Sequence, residues 1–364
     1  MSKNIKIVIG ANFGDEGKGL MTDYFSNKAE GSKIVVLYNG GAQRGHTVKT
    51  PSGYRHVFHH FGAGTLSGSD TLFGTDFLIN PIIFTQEYAE LRPYLSDKKI
   101  YRYKNCRVTT PYDMIANQYV EDLRGDNRHG SCGMGIYETI KRSESMNITL
   151  EDIIKDPIYF KYKISTFYID TYPEMHSDLF FSDELLNHFI QDCKFMADNT
   201  IPIESDKFLN EYYNVIFEGA QGLCLDKDNT EYFPNLTPSN TGIKGMEKYL
   251  KDLDGDIEVC YVTRTYLTRH GAGKLPGECN KEDINPIMKD LTNHPNDYQG
   301  NLRYGKINAN ELLDRIKNDV KKLISIADIE VGVALTHKNE YFNESVPAVK
   351  YISDGEDWLS VKKL

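Results

Sequence analysis

The chain has 364 residues, which is enough for a large hydrophobic core. Its hydrophobic content of 40% and its charged content of 26% are those of an ordinary globular protein. The formal net charge of −10 argues against binding to a nucleic-acid polymer, because such binding needs a basic face.

Strands and helices alternate along the chain. The predicted strands cover residues 5–9, 33–38, 214–217, 259–265 and 331–336; the predicted helices cover 18–25, 81–91 and 308–327, and two more begin at Pro111 and after Ser182. In the longest helix, Leu312, Ile316 and Val320 recur at helical spacing. This alternation predicts an α/β fold with a large, mainly parallel central sheet and helices on both faces. Since no linker divides the chain, we expect one domain over residues 1–364.

A glycine-rich turn, similar to a phosphate-binding P-loop, joins the first predicted strand to the first helix. Residues 10–19 read Gly-Ala-Asn-Phe-Gly-Asp-Glu-Gly-Lys-Gly. Free backbone N–H groups and the helix dipole at such a turn attract phosphate, and Lys18 adds a positive charge. The common loop has Ser or Thr directly after its lysine, whereas Gly19 and Leu20 follow Lys18 here. Because Asp15 would repel a phosphate, we expect it to hold a cation or accept a proton; the alternative is a surface turn with solvated acids.

A second polar loop, residues 39–47, follows the second predicted strand. In a parallel sheet both loops leave the same edge, where ligands bind. This loop contains the imidazole of His46 close to Gln43 and Thr47. Asp15 and His46 on facing loops suggest a base and an acid for group transfer.

Four further segments combine glycines with polar side chains. They are residues 129–136, 217–222, 263–273 and 299–305. The first is a candidate backbone nest for a second phosphate. In the second, Gln221 is suited to a purine edge. In the fourth, Arg303 is suited to a carboxylate.

Histidines and cysteines give little indication of a metal site or of disulfides. His56, His59 and His60 have the spacing of a strand and no acidic neighbour in sequence, which disfavours a metal site. The six cysteines are scattered without a Cys-x-x-Cys pair. No apolar run is long enough to cross a membrane, and no signal peptide is expected. We therefore expect a cytoplasmic protein without a membrane partner.

In their joint order, these segments resemble the adenylosuccinate synthetase family. The matching segments are residues 14–19, 45–47, 131–136, 217–222, 237–241, 268–273 and 300–305. The resemblance implies a ligase that acts in two steps. A nucleoside triphosphate phosphorylates the 6-oxygen of a purine nucleoside monophosphate, and the amino group of L-aspartate then displaces that phosphate. It also implies Mg²⁺ as cofactor, a homodimer and a cytoplasmic location, in the host if the chain is phage-encoded.

The resemblance also implies roles for individual residues. Asp15, His46 and Lys18 would be catalytic, and Asp15 with the Gly45 carbonyl would bind Mg²⁺. The triphosphate would be bound by Gly14, Glu16, Gly17, Gly19, Thr47 and Asn339. The purine monophosphate would be bound by Gln43, Ser131, Cys132, Arg142, Gln221, Thr237 and Asn301, with Arg142 reaching in from the partner subunit. Gly300 and Arg303 would bind aspartate.

Three departures from the family pattern concern the substrates. Asn301 stands where the family has an arginine for the ribose, which permits a deoxynucleotide. Asn339 stands where the family has a carboxylate that accepts hydrogen bonds from the guanine of GTP. Its presence favours ATP or dATP as the phosphate donor. The third is Gln43-Arg44 in place of Asn-Ala.

These departures favour the phage-type branch, which converts dGMP to N6-succino-2-amino-2′-deoxyadenylate. The retained carboxylate of Asp15 favours the alternative, which is IMP with GTP. Two hypotheses from other functional classes remain. One is an NTPase switch that does not ligate, and the other is an inactive homologue. The first lacks the usual Gly-Lys-Ser/Thr, and the second would have lost Asp15 or His46.

Overall fold

The structure is a computed structural model that describes residues 3–125, 128–175, 182–287, 300–323, 329–340, 346 and 348–364. Its strands are β1 Asn4–Gly10, β2 Lys33–Gly41, β3 His46–Lys49, β4 Arg55–Phe58, β5 Asp70–Leu78, β6 Ile100–Tyr103, β7 Ile201–Ile203, β8 Asn214–Gly222, β9 Asp256–Arg264, β10 Leu267–Arg269, β11 Glu278–Cys279, β12 Arg303–Gly305, β13 Ile329–Thr336, β14 Val349–Ser353 and β15 Val361–Lys363. Its helices are α1 Lys18–Lys28, α2 Pro81–Leu91, α3 Pro111–Arg124, α4 Ile136–Ser145, α5 Leu150–Lys155, α6 Pro157–Thr171, α7 Asp183–Asp198, α8 Glu247–Leu250, α9 Lys281–Ile284 and α10 Ala309–Val320.

Ten strands form one sheet, in the order β15-β14-β13-β9-β1-β8-β2-β5-β6-β7. All neighbouring pairs are parallel except β14 and β15 at one edge. Strands β3 and β4 form a separate hairpin, and β10, β12 and β11 form a small antiparallel sheet. The predicted α/β class with a large, mainly parallel sheet is confirmed.

The central strands are buried along almost their whole length. Eight consecutive residues of β2 and all but two of β1 are buried. Successive side chains of a strand point to opposite faces, so continuous burial means that both faces of the sheet are covered. No helix among the described residues is long and apolar enough to span a bilayer.

Element boundaries differ from the predicted ones where the apolar pattern is interrupted. The helix predicted over 308–327 ends at Val320 and continues as a 3-10 turn to Leu323, and residues 324–327 lie outside the described part. Strand β5 was not predicted, because Gly74 and polar residues break its apolar run. A Cβ at Gly74 would stand 2.5 Å from the Tyr249 hydroxyl, so packing against Tyr249 requires glycine there.

The strand order brings three loops together. Strands β1, β8 and β2 are neighbours and run in the same direction, so the segments after Gly10, Gly41 and Gly222 leave the same edge of the sheet. These are the carboxyl ends, where open α/β sheets bind ligands.

A buried carboxyl group anchors α1 below this edge. Asp23 is 2% exposed, and it accepts hydrogen bonds from Asn27 and from the Ser67 hydroxyl. Burial raises the pKa of Asp23 to about 6. Because its pKa in the unfolded chain is about 3.9, ionisation in the folded state costs stability as the pH rises from about 4 to about 6.

We expect Asp23→Asn to raise the free energy of unfolding by about 1–3 kcal/mol at pH 7.5, because the amide keeps an acceptor and carries no buried charge. The gain should shrink as the pH falls toward 4.5, where the folded wild-type group is mostly protonated. Urea denaturation at several pH values measures this gain in the free energy of unfolding. Asp252→Asn, which changes an exposed carboxyl group, is the control. A gain that is the same at every pH would contradict this account.

Candidate active site

A cleft of about 1320 Å³ opens at the carboxyl edge of the sheet. Its lining includes Phe13, Gly14, Asp15, Ala42, Gln43, Arg44, Gly45, His46, His129, Gly130, Ser131, Cys132, Gln221, Leu225, Lys227, Phe233, Pro234, Asn235, Leu236, Thr237, Pro238, Arg269 and His270. Pockets for one small ligand usually measure about 300–1,000 Å³, so this cleft has room for more than one. The first and second predicted loops and the nest segment meet in it.

The first turn is held from inside by its own charged residues. The Glu16 carboxylate accepts hydrogen bonds from the backbone N–H groups of Asn12 (3.1 Å) and Gly14 (2.8 Å). The Lys18 ammonium donates to the Gly14 carbonyl at 2.5 Å and lies 3.4 Å from Glu16. Both side chains are buried, and neither is part of the described lining of the cleft. In this structure they shape the turn, and their predicted contacts with phosphate stay predictions.

Glycine permits the close contact between the first turn and the second loop. A Cβ at Gly19 would stand 2.8 Å from the Thr47 carbonyl oxygen and 3.1 Å from His46. Gly17, which precedes α1, has a φ of 98°, a left-handed conformation that favours glycine. The start of α1 can therefore lie directly against the loop that carries His46.

Asp15 presents its carboxylate to the cleft. Its backbone carbonyl accepts a hydrogen bond from Arg264 at the end of β9. Its side chain is 27% exposed and lies 3.6 Å from Nε2 of His270. The carboxylate is therefore accessible to a ligand while its backbone is fixed, and His270 is a neighbour that sequence analysis did not identify.

His46 forms a buried pair with Glu218, in the middle of β8. Nδ1 of His46 lies 2.5 Å from Oε1 of Glu218, and Oε2 accepts a hydrogen bond from the Ala63 N–H at 3.0 Å. Arg44 is 3.4 Å from the same carboxylate. Its guanidinium also donates to the carbonyls of His59 and Phe61.

Charges around this pair set its protonation. Burial lowers the pKa of the His46 imidazole to about 4, and Glu218 opposes that change. Burial alone would raise the pKa of Glu218, but Arg44 and His46 hold it below its usual range. Glu218 is therefore ionised and accepts a hydrogen bond from Nδ1–H of His46. This leaves Nε2 of His46 for a ligand. Sequence analysis placed Glu218 in a motif without giving it a role.

Gln43, Gly45 and Thr47 complete the second loop. Gln43 and Gly45 line the cleft. The amide atoms of Gln43 and the hydroxyl of Thr47 are buried and have no hydrogen-bond partner within the described part of the chain. Because Gln43 lines the cleft, its amide is available to a bound ligand, whereas the contact of Thr47 with a triphosphate stays a prediction.

Four more of the candidate monophosphate residues line the cleft. Ser131 and Cys132 line the cleft together with Gln221 and Thr237. Gln221 has a φ of 63°, an uncommon conformation for a residue with a side chain and one that is frequent at functional sites. Burial raises the pKa of the Cys132 thiol, so this residue stays a neutral donor.

Arg142 does not lie where the resemblance places it. Its guanidinium is buried in its own chain, 2.8 Å from Asp113, and donates to the Val108 carbonyl at 2.7 Å. In this structure α4 turns the side chain inward against α3, and its role in a neighbouring subunit stays a prediction.

The sixth motif lies beside the cleft instead of lining it. Asn301 and Arg303 border a separate open depression of about 470 Å³. Arg303 makes a two-pronged ion pair with Glu278 (2.8 and 2.6 Å), and it donates to the carbonyls of Gly271 and Gly273. It therefore holds the turn that follows His270. Gly300 has a φ of 66°, a left-handed conformation. Gln299 lies outside the described residues.

Asn339 is exposed just beyond β13 and is not part of the described lining of the cleft. Three residues earlier, the Thr336 hydroxyl donates to the Glu16 carbonyl at 2.7 Å. The end of β13 is thus attached to the first turn, close to where a triphosphate is expected.

The three histidines of the β4 region point to different neighbours. His56 lies 3.3 Å from Glu87, His59 is close to the Ala42 carbonyl, and Nε2 of His60 accepts the Asn80 N–H. Only His56 lies within β4, so the strand predicted for all three is shorter than expected. Their side chains do not converge on one point.

Known structures share this fold along almost the whole chain. A fully ligated adenylosuccinate synthetase from Plasmodium falciparum superposes with a TM-score of 0.78 and 20% identity, covering 99% of this chain and 100% of that one. Succinoaminodeoxyadenylate synthetase (PurZ) of cyanophage S-2L, bound to dGMP and to dATP as an energy donor, has a TM-score of 0.65 and 15% identity, covering 100% and 96%.

Sequence relatives agree with the structural comparison. Adenylosuccinate synthetases of Acaryochloris marina and of a Picosynechococcus species are 31% and 32% identical over 288 residues, which is 76% of this chain. The match spans 63% of the length of these relatives. The family model described as adenylosuccinate synthetase matches residues 7–303. The resemblance found in the sequence is confirmed, and the chain belongs to the adenylosuccinate synthetase family.

Proposed function

We propose that this protein joins L-aspartate to C6 of a 6-oxopurine nucleoside monophosphate through a 6-phosphoryl intermediate, driven by a nucleoside triphosphate. The observation that carries the proposal is the cleft itself. It brings Asp15, the His46–Glu218 pair and Gln221 together on neighbouring loops. Family membership supports the same chemistry.

The first step makes O6 a better leaving group. Asp15 takes the proton from N1 of the purine, which places negative charge on O6. O6 then bonds to the γ-phosphorus, and the bond from that phosphorus to the β–γ bridging oxygen breaks. Catalysis needs positioning and charge neutralisation more than covalent chemistry from the protein.

His46 acts on the leaving side of this step. In the free protein its imidazole is neutral because burial lowers its pKa. A bound triphosphate brings negative charge to Nε2 while Glu218 stays at Nδ1, and both anions favour the protonated ring. His46 can then donate a proton to the departing diphosphate.

The oxygen donors of the cleft fit a magnesium ion. Mg²⁺ is usually held by one or two carboxylates together with phosphate oxygens, and the cleft offers the Asp15 carboxylate and the backbone of Gly45. When bound, the ion supplies neutralisation of phosphate charge. Asp15 would then serve both as ligand and as base.

In the second step the aspartate amine attacks C6, and inorganic phosphate leaves with O6. Arg303 is the candidate that holds an aspartate carboxylate. It already binds a carboxylate, that of Glu278, in a two-pronged arrangement. The substrate would take the place of Glu278, and the turn at Gly271 would keep Arg303 beside the cleft.

Two substrate pairs follow from the chain's own residues. Asn301 and Asn339 favour dGMP with ATP or dATP, the ligands named for the cyanophage structure. The Asp15 carboxylate and the shared name of the curated relatives favour IMP with GTP. We keep the first as the preferred pair, and the homodimer and the cytoplasmic location stay predictions.

We expect a succinyl nucleotide when the protein is incubated with Mg²⁺, aspartate and the correct nucleotide pair. IMP, GMP, dIMP and dGMP are each combined with GTP, ATP or dATP, and the products are identified by mass spectrometry. Product from dGMP with ATP or dATP supports the preferred pair, and product only from IMP with GTP contradicts it. Triphosphate hydrolysis that needs no aspartate, without ligation, would instead indicate an NTPase switch.

Asp15→Asn and His46→Ala should each lower kcat at least about 100-fold with the best substrate pair, because each removes a proton-transfer group. Circular dichroism checks that the variants fold. Asp252→Asn, which changes an exposed carboxyl group, should keep full activity. Near-normal turnover in either cleft variant would refute its assigned role.

Glu218→Gln should lower kcat about 100-fold and leave the KM for the monophosphate within about threefold, because it affects only how His46 is held and charged. Glu218→Asp, which keeps the charge, should recover part of the rate. Glu258→Gln is the matched control, since Glu258 is also a buried strand carboxylate and pairs with Lys6 and Lys350.

Both glutamine variants should lose stability, because each removes the charge of a buried carboxylate that pairs with nearby cations. Thermal unfolding of the two proteins therefore separates stability from catalysis. If Glu258→Gln lowers kcat as much as Glu218→Gln does, Glu218 has no special role in positioning His46.

A further inference from the structure

The 5′-phosphate of a bound nucleoside monophosphate favours positive charge in the cleft. A nucleoside monophosphate carries a phosphate that is close to doubly charged, and Ser131, Cys132 and Thr237 offer only neutral donors to it. Arg142, the expected cation, is enclosed in the interior with Asp113. A cation of the cleft itself is then a candidate for this charge.

Most lysine and arginine residues of the cleft already form ion pairs or hydrogen bonds within the chain. They are Arg44, Arg55, Arg124, Lys227 and Arg269. Arg44 faces Glu218, Arg124 pairs with Glu121, and Arg269 donates to the carbonyls of Asn235 and Lys274. Arg55 lies on the β3–β4 hairpin opposite Lys49, at the end away from His46.

Lys227 differs from these residues. It is exposed and lines the cleft. Its ammonium group has no hydrogen-bond or salt-bridge partner in the described part of the chain. The two flanking carboxylates have other contacts, since Asp226 accepts the Thr241 N–H at 2.6 Å and Asp228 pairs with Lys244 at 2.9 Å.

Backbone hydrogen bonds fix Lys227 beside the candidate phosphate residues. The Thr237 N–H donates to the Leu225 carbonyl at 2.9 Å, and the Lys227 N–H donates to the Ser239 carbonyl at 3.1 Å. Asn235 in turn donates to the His129 carbonyl at the start of the nest. The lysine, Thr237 and the nest are thus parts of one hydrogen-bonded wall.

We infer that Lys227 binds the 5′-phosphate of the nucleoside monophosphate and supplies, from within the same chain, the charge that Arg142 does not. The inference rests on the proposed function for the identity of the nucleotide. An ammonium group on a flexible stem can follow a phosphate without a fixed geometry. Lys227 is then a determinant of the preference for nucleotide over nucleoside.

The test compares binding of dGMP and IMP with binding of their nucleosides, by calorimetry and ligand-observed NMR. Lys227→Gln should weaken binding of the monophosphate that the wild type binds by about tenfold or more, and leave nucleoside binding unchanged. Lys227→Arg should restore monophosphate affinity to within about threefold of the wild type. Lys317→Gln, an exposed lysine of α10, should change neither affinity.

The inference is overturned if Lys227→Gln leaves monophosphate affinity unchanged, or weakens nucleoside and monophosphate equally. It is also overturned if the variant weakens only the triphosphate. These binding results do not depend on turnover. A wild type that binds the monophosphate but forms no succinyl nucleotide would refute the proposed function and leave the role of Lys227 to be read from binding alone.

Discussion

The buried carboxylate of Glu218 is the interaction on which the site depends. It projects from the central strand β8 and receives His46, the Ala63 N–H and the charge of Arg44. A charge in such a place is stable only when it is fully paired. The loops that contact this carboxylate are therefore held in one arrangement. The His46 imidazole lines the cleft, and its Nδ1 is already hydrogen-bonded to Glu218. The same carboxylate thus serves folding and chemistry.

Around this fixed centre the cleft is lined by the first turn and by polar residues at or after the end of β8. The first turn uses Glu16 and Lys18 to satisfy its own backbone, which leaves Asp15 as its exposed acid. Gln221 lies directly against this turn, since a Cβ at Gly14 would stand 3.4 Å from its side-chain amide oxygen, and Lys227 also lines the cleft. In the proposed function, the purine ring would lie near Asp15 and Gln221, and the phosphate of the nucleotide near Lys227. This separation of roles is what a two-step transfer requires.

The sequence predicted the central strands, the helix after Asn308 and the loops with Asp15 and His46, because these depend on local apolar patterns and glycine turns. It could not identify Glu218 as the partner of His46, since the two residues are 172 positions apart and meet only through the strand order. It could not show, for a related reason, that Arg142 packs inward in its own chain. Spacing along a helix does not show which face packs inward, and here that face meets Asp113.

The most direct measurement of the central claim follows the purine oxygen. A 6-oxopurine nucleoside monophosphate labelled with ¹⁸O at C6 is incubated with the protein, aspartate, Mg²⁺ and the triphosphate. If O6 is phosphorylated and then leaves as phosphate, each molecule of inorganic phosphate released should carry one ¹⁸O atom, detected by mass spectrometry. Succinyl nucleotide formed together with unlabelled phosphate would contradict the account, because the transferred phosphoryl group would then never have been bonded to O6.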